Sequence, residues 1–388
     1  MKKADEFFVS PDITKAETLP PEAFTSQEFL ARELATIFKT HWLMAPQRGV
    51  MESREDPRTL VDQLARRGAQ APFTLLDQPL FMQRDMKGAL HAFPNVCTHA
   101  WHTLVEGAGR ERTITCPQHG RQFGADGKFL SQPGFKNLPD FPRPCDHLQS
   151  FPVEEWAPLL FTCLGNPRAS FKDVFGPAME SVAKLPMHDW RRAAHSAEIR
   201  EIPGNWKLNA WNYMDKFHIA FLHRAPGGLA DAIDLDGYKT ELYEHSSLQW
   251  AYARDPAHGF DPKTLPARFH DKKSNRRVFA LWWLIFPNLT LNFYPWGLSV
   301  NVYQPVPNHP DRTLFLWYHF IADEKKYAKR DELWLSSQVD HEDVDAIGQV
   351  RRGLNSGAAQ RGRFAPEEEK GPHWFHRLVS ERVMVVDS

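Results

Sequence analysis

Asn205-Trp-Lys-Leu-Asn-Ala-Trp-Asn-Tyr-Met-Asp215-Lys-Phe-His218-Ile-Ala-Phe-Leu-His223 sets two imidazoles and a carboxylate into nine residues of largely apolar sequence. Two neutral imidazoles with one carboxylate form the facial iron site used for oxygen activation, although imidazoles also suit zinc, copper and nickel. Asp215 and His218, three apart, would share one face of a regular helix. His223 lies five beyond His218, so a straight helix would splay the two rings by about 140°. The spacing predicts a wide turn or a helix end, and Pro226-Gly227-Gly228 supplies an end nearby. Taken alone the stretch is weak, because paired histidines on an apolar helix are more often core or surface residues than ligands.

The deciding pattern lies about a hundred residues upstream. Cys97-Thr98-His99 is followed, after 16 residues, by Cys116-Pro117-Gln118-His119-Gly120. Each half offers one thiolate and one imidazole from a tight loop. Two such pairs facing across a gap can hold a [2Fe-2S] cluster, with cysteines on one iron and histidines on the other. The alternative is a structural zinc site, since two cysteines and two histidines also satisfy tetrahedral zinc. Zinc loops, however, space cysteine from cysteine, whereas here each cysteine is paired with a histidine. A hairpin is expected between the halves, with Gly107 and Gly109 near its turn. His102 reads as a neighbour of the site, and Cys145 and Cys163 as buried small apolar residues.

Length and composition set the bounds. A chain of 388 residues can bury two cores. A net charge of −1 provides no field to draw in nucleic acid or an anionic membrane. No apolar run of spanning length occurs. Met1-Lys-Lys-Ala-Asp-Glu-Phe-Phe8 lacks the long apolar run of a secretory signal, and four cysteines are too few for a disulfide scaffold; the expected location is the cytoplasm. The 13 Trp and 27 Phe suit large cores, and leave room for an aromatic pocket.

Three segments follow from the patterning. Residues 1–45 read as an irregular arm and a helix packing on the catalytic domain, the helix opened by a Thr25/Glu28 capping box. Residues 46–165 alternate apolar and polar between Gly, Pro and Asp turns, from about Val61 on, as a small antiparallel β domain. Residues 166–388 mix strands (Ser196–Ile202, Phe279–Phe286, Thr290–Phe293, Leu298–Gln304, Leu314–Ile321) with two late helices near Lys329–Leu354 and Trp374–Val383. The charged run Arg361–Lys370 reads as a solvated loop.

With both motifs in place, the chain resembles the catalytic α component of Rieske non-heme iron oxygenases over nearly its whole length. Cys97-x-His99 with Cys116-Pro-Gln-His119-Gly120 looks like the Rieske motif. Asn205-Trp-Lys followed by Asn212-x-x-Asp215-x-x-His218-x4-His223 looks like the mononuclear iron motif. Glu342-Asp343 ahead of Arg352-Gly353-Leu354-x-Ser356 resembles the helix that donates the third iron ligand, which puts Asp343 there; Asp340, Glu342 and Asp345 are its rivals. Phe286-Pro-Asn-Leu289 with Tyr294-Pro-Trp-Gly297 is similar to the choline- and carnitine-oxygenase-like branch beside the ring-hydroxylating one. Ala100-Trp101 stands where an Arg-Gly pair commonly follows the first histidine, Gln118 replaces an aromatic residue, and Trp211 replaces a common Glu.

The resemblance implies an α+β protein. A Rieske-type antiparallel β domain precedes a helix-grip (START-like) domain, in which an antiparallel sheet wraps a long helix. It implies a [2Fe-2S] cluster on Cys97, His99, Cys116 and His119, and mononuclear Fe(II) on His218, His223 and Asp343, with O2 as co-substrate. Asp215 would bridge an iron-ligand histidine to a Rieske histidine, His119, of a neighbouring subunit, and so implies a closed homotrimer. Trp211, Phe217, Phe221, Trp282, Trp283, Phe293 and Trp296 are candidates for the pocket wall, and an aromatic cage for a quaternary ammonium is one use of it. No dinucleotide fingerprint or ferredoxin cysteine run is present, so electrons would come from a separate NAD(P)H-dependent reductase, with or without a ferredoxin. The expected reaction is monooxygenation of a small organic substrate, by hydroxylation or oxidative demethylation. The alternatives are a cis-dihydroxylating ring dioxygenase, a Rieske electron carrier without oxygenase activity, and a zinc-stabilised binding module.

Overall fold

A computed structural model describes residues 4–46, 59–193, 198–224, 228–271, 273–329 and 337–384. The chain forms two compact units: Lys39–Arg168, and the residues up to Phe38 together with those from Ala169 on.

Among the described residues, the smaller unit is built from three small antiparallel sheets. The first runs in the order Leu90–Pro94, Gln78–Arg84, Ala69–Leu75, Gly109–Arg110; the second joins Thr113–Thr115, Gln122–Gly124 and Phe129–Ser131; the third joins Leu43–Met44, Leu159–Thr162 and Val153–Trp156. Ala69–Leu75 alternates between buried and half-buried positions, as a strand with one covered face must. The hairpin expected between the two Cys/His pairs does not form. Gly109–Arg110 pairs with Ala69–Gln70, while Thr113–Thr115 pairs with Gln122–Gly124 in a different sheet. The second ligand loop, Cys116–Arg121, is itself the hairpin connection, and Glu111-Arg112 carries the chain from one sheet to the other. Near Val61 the chain makes a helical turn, Leu60–Gln63, capped reciprocally by Thr59 and Asp62. Cys163 is buried as expected, but Cys145 is exposed.

The larger unit is organised by an eight-stranded antiparallel sheet among the described residues. Its order is Arg191–Arg192, His309–Ile321, Gly297–Val306, Leu289–Tyr294, Val278–Ile285, Ser246–Tyr252, Lys239–Leu242, with Glu198–Pro203 also paired to His309–Ile321. Every residue of Val278–Ile285 is buried, because both faces of that strand are covered. Trp283 points to the face under helix Phe171–Ser181, where its indole N–H donates to Ser181 Oγ at 3.1 Å. Trp282, one residue earlier, lies on the opposite face and lines a cavity of about 170 Å³. Helices Trp206–Met214 and Ser337–Leu354 close that cavity. Residues 330–336, within the expected helix from Lys329, lie outside the described residues.

The N-terminal helix is capped one residue later than the sequence predicts. Ser26 Oγ accepts from Phe29 N–H at 3.2 Å, and Thr25 ends a preceding short turn. Glu33 of this helix meets Lys207 at 2.7 Å with both side chains fully buried, and Trp206 Nε1 donates to its other oxygen at 3.1 Å. Arg361 and Arg363 are not merely solvated. Arg361 donates to the carbonyls of Thr18 at 2.6 Å and Phe8 at 2.7 Å, and Arg363 donates from Nε to the Ala16 carbonyl at 3.1 Å while its backbone pairs with Glu17. Leu19 N–H donates to buried His376 Nδ1 at 2.9 Å.

Candidate metal centres

The ligand helix ends before the ligands begin. Trp206–Met214 is helical, Asn205 caps it by accepting from Lys207 N–H, and Asp215 is already extended at ψ 102°. A second short helix, Ile219–Leu222, carries His218 at its start and His223 at its end. The predicted wide turn is therefore a break at Asp215–His218 plus a helix end at His223; Pro226 and Gly227 lie outside the described residues. The break removes the shared helical face expected for Asp215 and His218, yet Asp215 Oδ2 still stands 3.3 Å from His218 Nδ1.

His218, His223 and Asp343 are brought together as a possible metal-binding group. His218 Nε2 and His223 Nε2 are 3.1 Å apart, and Asp343 Oδ1 lies 3.1 Å from His223 Nε2 and 3.6 Å from His218 Nε2. Cis ligands about 2.1 Å from a metal and at right angles stand about 3.0 Å apart, so the separations fit one ion. The outer nitrogens are already engaged: His218 Nδ1 faces Asp215 and His223 Nδ1 lies 2.6 Å from Glu342 Oε2. With protons on those outer nitrogens, two lone pairs and a buried carboxylate oxygen without a hydrogen-bond partner converge. That donor set suits a divalent iron. Burial is the largest effect on His223 and pulls its pKa down, but Asp343 and Glu342 outweigh it and hold the imidazole above its ordinary range; a bound cation would reverse that preference. Asp345 is exposed, and the side chain of Asp340 lies outside the described residues.

Of the aromatic candidates, Trp282 and Trp296 line the cavity beside this group. The others do not. Trp211 packs edge-on against His376 at 4.5 Å and near Phe24. Phe293 alternates with the lining residues Asn292 and Tyr294, so its ring faces the other side of the sheet. Trp283 is on that other side too, and Phe217 and Phe221 are 46% and 65% exposed. The wall instead draws on Tyr213, Tyr238, Phe279 and Tyr294; the strand residues Phe279 and Tyr294 escape sequence reasoning because alternation assigns a face only once the register is known, and Tyr213 and Tyr238 because they reach the cavity from a helix and a turn. Tyr238 stacks on Trp282 at 5.8 Å and Tyr294 on Trp296 at 5.2 Å. Burial pushes the Tyr213 and Tyr238 phenols up, so both stay neutral; Tyr213 donates to Asn292 Oδ1 at 2.7 Å and pins the wall.

In the smaller unit the two Cys/His loops close on themselves. Cys97 N–H donates to His102 O and Cys116 N–H to Arg121 O, each at 2.8 Å. Asn95 Oδ1 accepts from Leu104 and Val105 N–H and so braces the first loop from below. Trp101, where the family pattern has glycine, adopts φ +61° and is 82% exposed. Cys97 and Cys116 are buried free thiols, and the His99 and His119 rings lie 4.8 Å apart. Burial is the main effect pushing the Cys97 thiol up, and the adjacent Cys116 adds to it. Paired thiols below and paired imidazoles above suit a two-iron cluster with mixed ligation.

Known proteins agree with this architecture. The Rieske [2Fe-2S] domain family matches residues 58–142, and the ring hydroxylating alpha subunit (catalytic domain) family matches residues 187–384. The carnitine monooxygenase oxygenase subunit of Acinetobacter baumannii is 25% identical over 98% of each chain. The chloroplastic choline monooxygenase of Spinacia oleracea is 26% identical over 93% of this chain and 77% of its own. Among solved structures, the quaternary ammonium Rieske monooxygenase CntA shares the fold, with a TM-score of 0.75 at 22% identity over 98% of each chain.

Fold and site together define an oxidoreductase that incorporates molecular oxygen. More narrowly, the chain belongs to the ring-hydroxylating oxygenase alpha-subunit family, with a Rieske domain ahead of its catalytic domain. It is a terminal oxygenase component that uses a [2Fe-2S] cluster, a mononuclear iron and O2, and it depends on a reductase for electrons. The electron-carrier and zinc-module alternatives do not account for the catalytic domain. Among the described residues no helix is long and apolar enough to cross a membrane.

Proposed function

We propose that this chain monooxygenates a small quaternary ammonium substrate, by hydroxylation or oxidative demethylation, at an iron held by His218, His223 and Asp343. The observation that carries the proposal is the convergence of those three donor atoms on a cavity walled by stacked aromatic pairs. A ferrous ion bound there supplies the one-electron chemistry that dioxygen requires. His218, His223 and Asp343 would hold that ion, with Asp215 and Glu342 orienting the two imidazoles. The faces of Tyr238, Trp282, Tyr294 and Trp296 suit a cation that cannot donate hydrogen bonds, and the relatives named for carnitine and choline both act on such cations.

Cys97, His99, Cys116 and His119 hold the cluster in this proposal, and His119, which is exposed, offers its edge to a neighbouring copy. Asp215 then accepts from His218 on one side and from that neighbour's His119 on the other, in a closed trimer. A solved quaternary ammonium Rieske monooxygenase is described in terms of inter-subunit electron transfer, which supports the same wiring here. The electron source is a separate NAD(P)H-dependent reductase.

The test is oxygen uptake with a surrogate reductase on choline, carnitine and a neutral aromatic hydrocarbon, followed by product analysis with labelled dioxygen. Uptake triggered by an ammonium compound, with one labelled oxygen in the product, is expected. Two labelled oxygens on an aromatic ring would replace the proposal with cis-dihydroxylation. His218→Ala should lose the mononuclear iron and turnover yet keep the cluster's visible spectrum. Asp215→Asn should keep both metals and slow single-turnover electron transfer.

A further inference from the structure

Arg121, two residues beyond His119, is 1% exposed, an unusual place for a permanent positive charge. Its Nε donates to Gln132 Oε1 at 2.6 Å and its Nη1 to Thr98 Oγ1 at 2.7 Å. Phe129, Phe135 and Phe141 surround the guanidinium carbon at 5.2 to 5.5 Å. Thr98 lies between the candidate ligands Cys97 and His99. Gln132 Nε2 also stands 2.9 Å from His99 Nδ1. Phe135 also packs edge-on against His99 at 5.3 Å. One guanidinium thus ties together the first ligand loop, the second ligand loop and the segment carrying Gln132.

Its charge is only partly offset. Asp146 Oδ1 is 3.4 Å from Nη1, while Asp146 Oδ2 is shared with Arg143, at 3.5 Å from its Nε and 2.8 Å from its backbone N–H. A guanidinium does not shed its proton on burial, so a fixed positive charge remains beside the cluster loops. Reduction adds one negative charge to a cluster, and net nearby charge and solvent exposure set its potential. We propose that Arg121 is a positioning residue that clamps both ligand loops and whose buried charge raises the reduction potential of the cluster.

This rests on the assignment of the cluster to Cys97, His99, Cys116 and His119. Iron, labile sulfide and a redox titration followed by electron paramagnetic resonance would be measured on the intact protein and three variants. Arg121→Gln, which removes the charge, should shift the reduction equilibrium about tenfold toward the oxidised form, or about 59 mV for one electron. Asp146→Asn, which removes the offsetting carboxylate, should shift it the opposite way. Arg121→Lys, which keeps the charge, should stay within about threefold of the unaltered protein, roughly 28 mV. Any other pattern among variants that retain iron and sulfide overturns the proposal. If Arg121→Gln does not retain sulfide, Asp146→Asn decides alone: a raised potential supports the charge effect and an unchanged or lowered one refutes it. Absence of sulfide from the unaltered protein would overturn the cluster assignment itself.

Discussion

Glu342 and Asp343 are adjacent carboxylates on one helix, and the sequence presents them as rivals for one role. The fold gives them two. Asp343 points into the donor group, while Glu342 reaches the outer nitrogen of His223. Partners of this kind fix the tautomer and ring orientation of a ligand, and their loss typically costs 10- to 100-fold in metal affinity. Glu342→Ala should weaken iron retention by about that factor in equilibrium dialysis, with the [2Fe-2S] absorption unchanged. Lys207 presents a second residue-scale case. Burial pushes its ammonium down and the Glu33 carboxyl up, each against the pull of its partner. Lys207→Met strands a buried carboxylate and should cost about 3 to 5 kcal/mol in urea unfolding. Adding Glu33→Gln should recover much of that, because the penalty lies in the orphaned charge. The candidate cysteines and histidines stand out in the sequence by identity and spacing, and the fold does bring His218 and His223 to Asp343. Glu342's role and Arg121's burial were not legible there, because both depend on contacts distant in sequence.

At the scale of elements, strand patterns were read well and faces were read poorly. Leu298–Gln304 and Leu314–Ile321 were placed nearly as found. Assigning Phe293 and Trp283 to the pocket failed because a one-residue change of face is invisible until the register is fixed. The break in the ligand helix was anticipated from the five-residue histidine spacing, but its position at Asp215 was not. The Tyr294-Pro-Trp-Gly297 turn is the element most sensitive to a small change. Gly297 has φ +147°, and a Cβ there would lie 2.0 Å from the Phe320 carbonyl oxygen. Gly297→Ala should therefore part the central strand pair and displace Trp296 from the cavity wall. A loss of more than about 2 kcal/mol in thermal unfolding is expected, together with altered tryptophan fluorescence.

For the molecule as a whole, the ordered arrangement of two metal domains was plain in the sequence, whereas the joining of its ends was not. Arg361 and Arg363 looked like a solvated charged loop, yet they bind carbonyls of the N-terminal arm. His376 accepts a hydrogen bond from that arm and must be neutral at Nδ1 to do so. Burial, reinforced by Lys207, pushes its pKa down to about 3. The unfolded chain would take up a proton near pH 6.5 while the folded one resists, so stability attributable to His376 is present above that pH. It is lost on acidification from about 6.5 toward 3, at no more than about 1.4 kcal/mol per pH unit. His376→Gln should flatten that part of the stability–pH curve relative to the unaltered protein.

The buried contact of Glu33 with Trp206 and Lys207 gives the opening residues an influence that their irregular sequence conceals. A shortened version starting after Phe38 would be no mere trimming of a tail. It would bare the back of the helix that leads into the two histidines, and their approach to Asp343 should loosen while most of the sheet still stood.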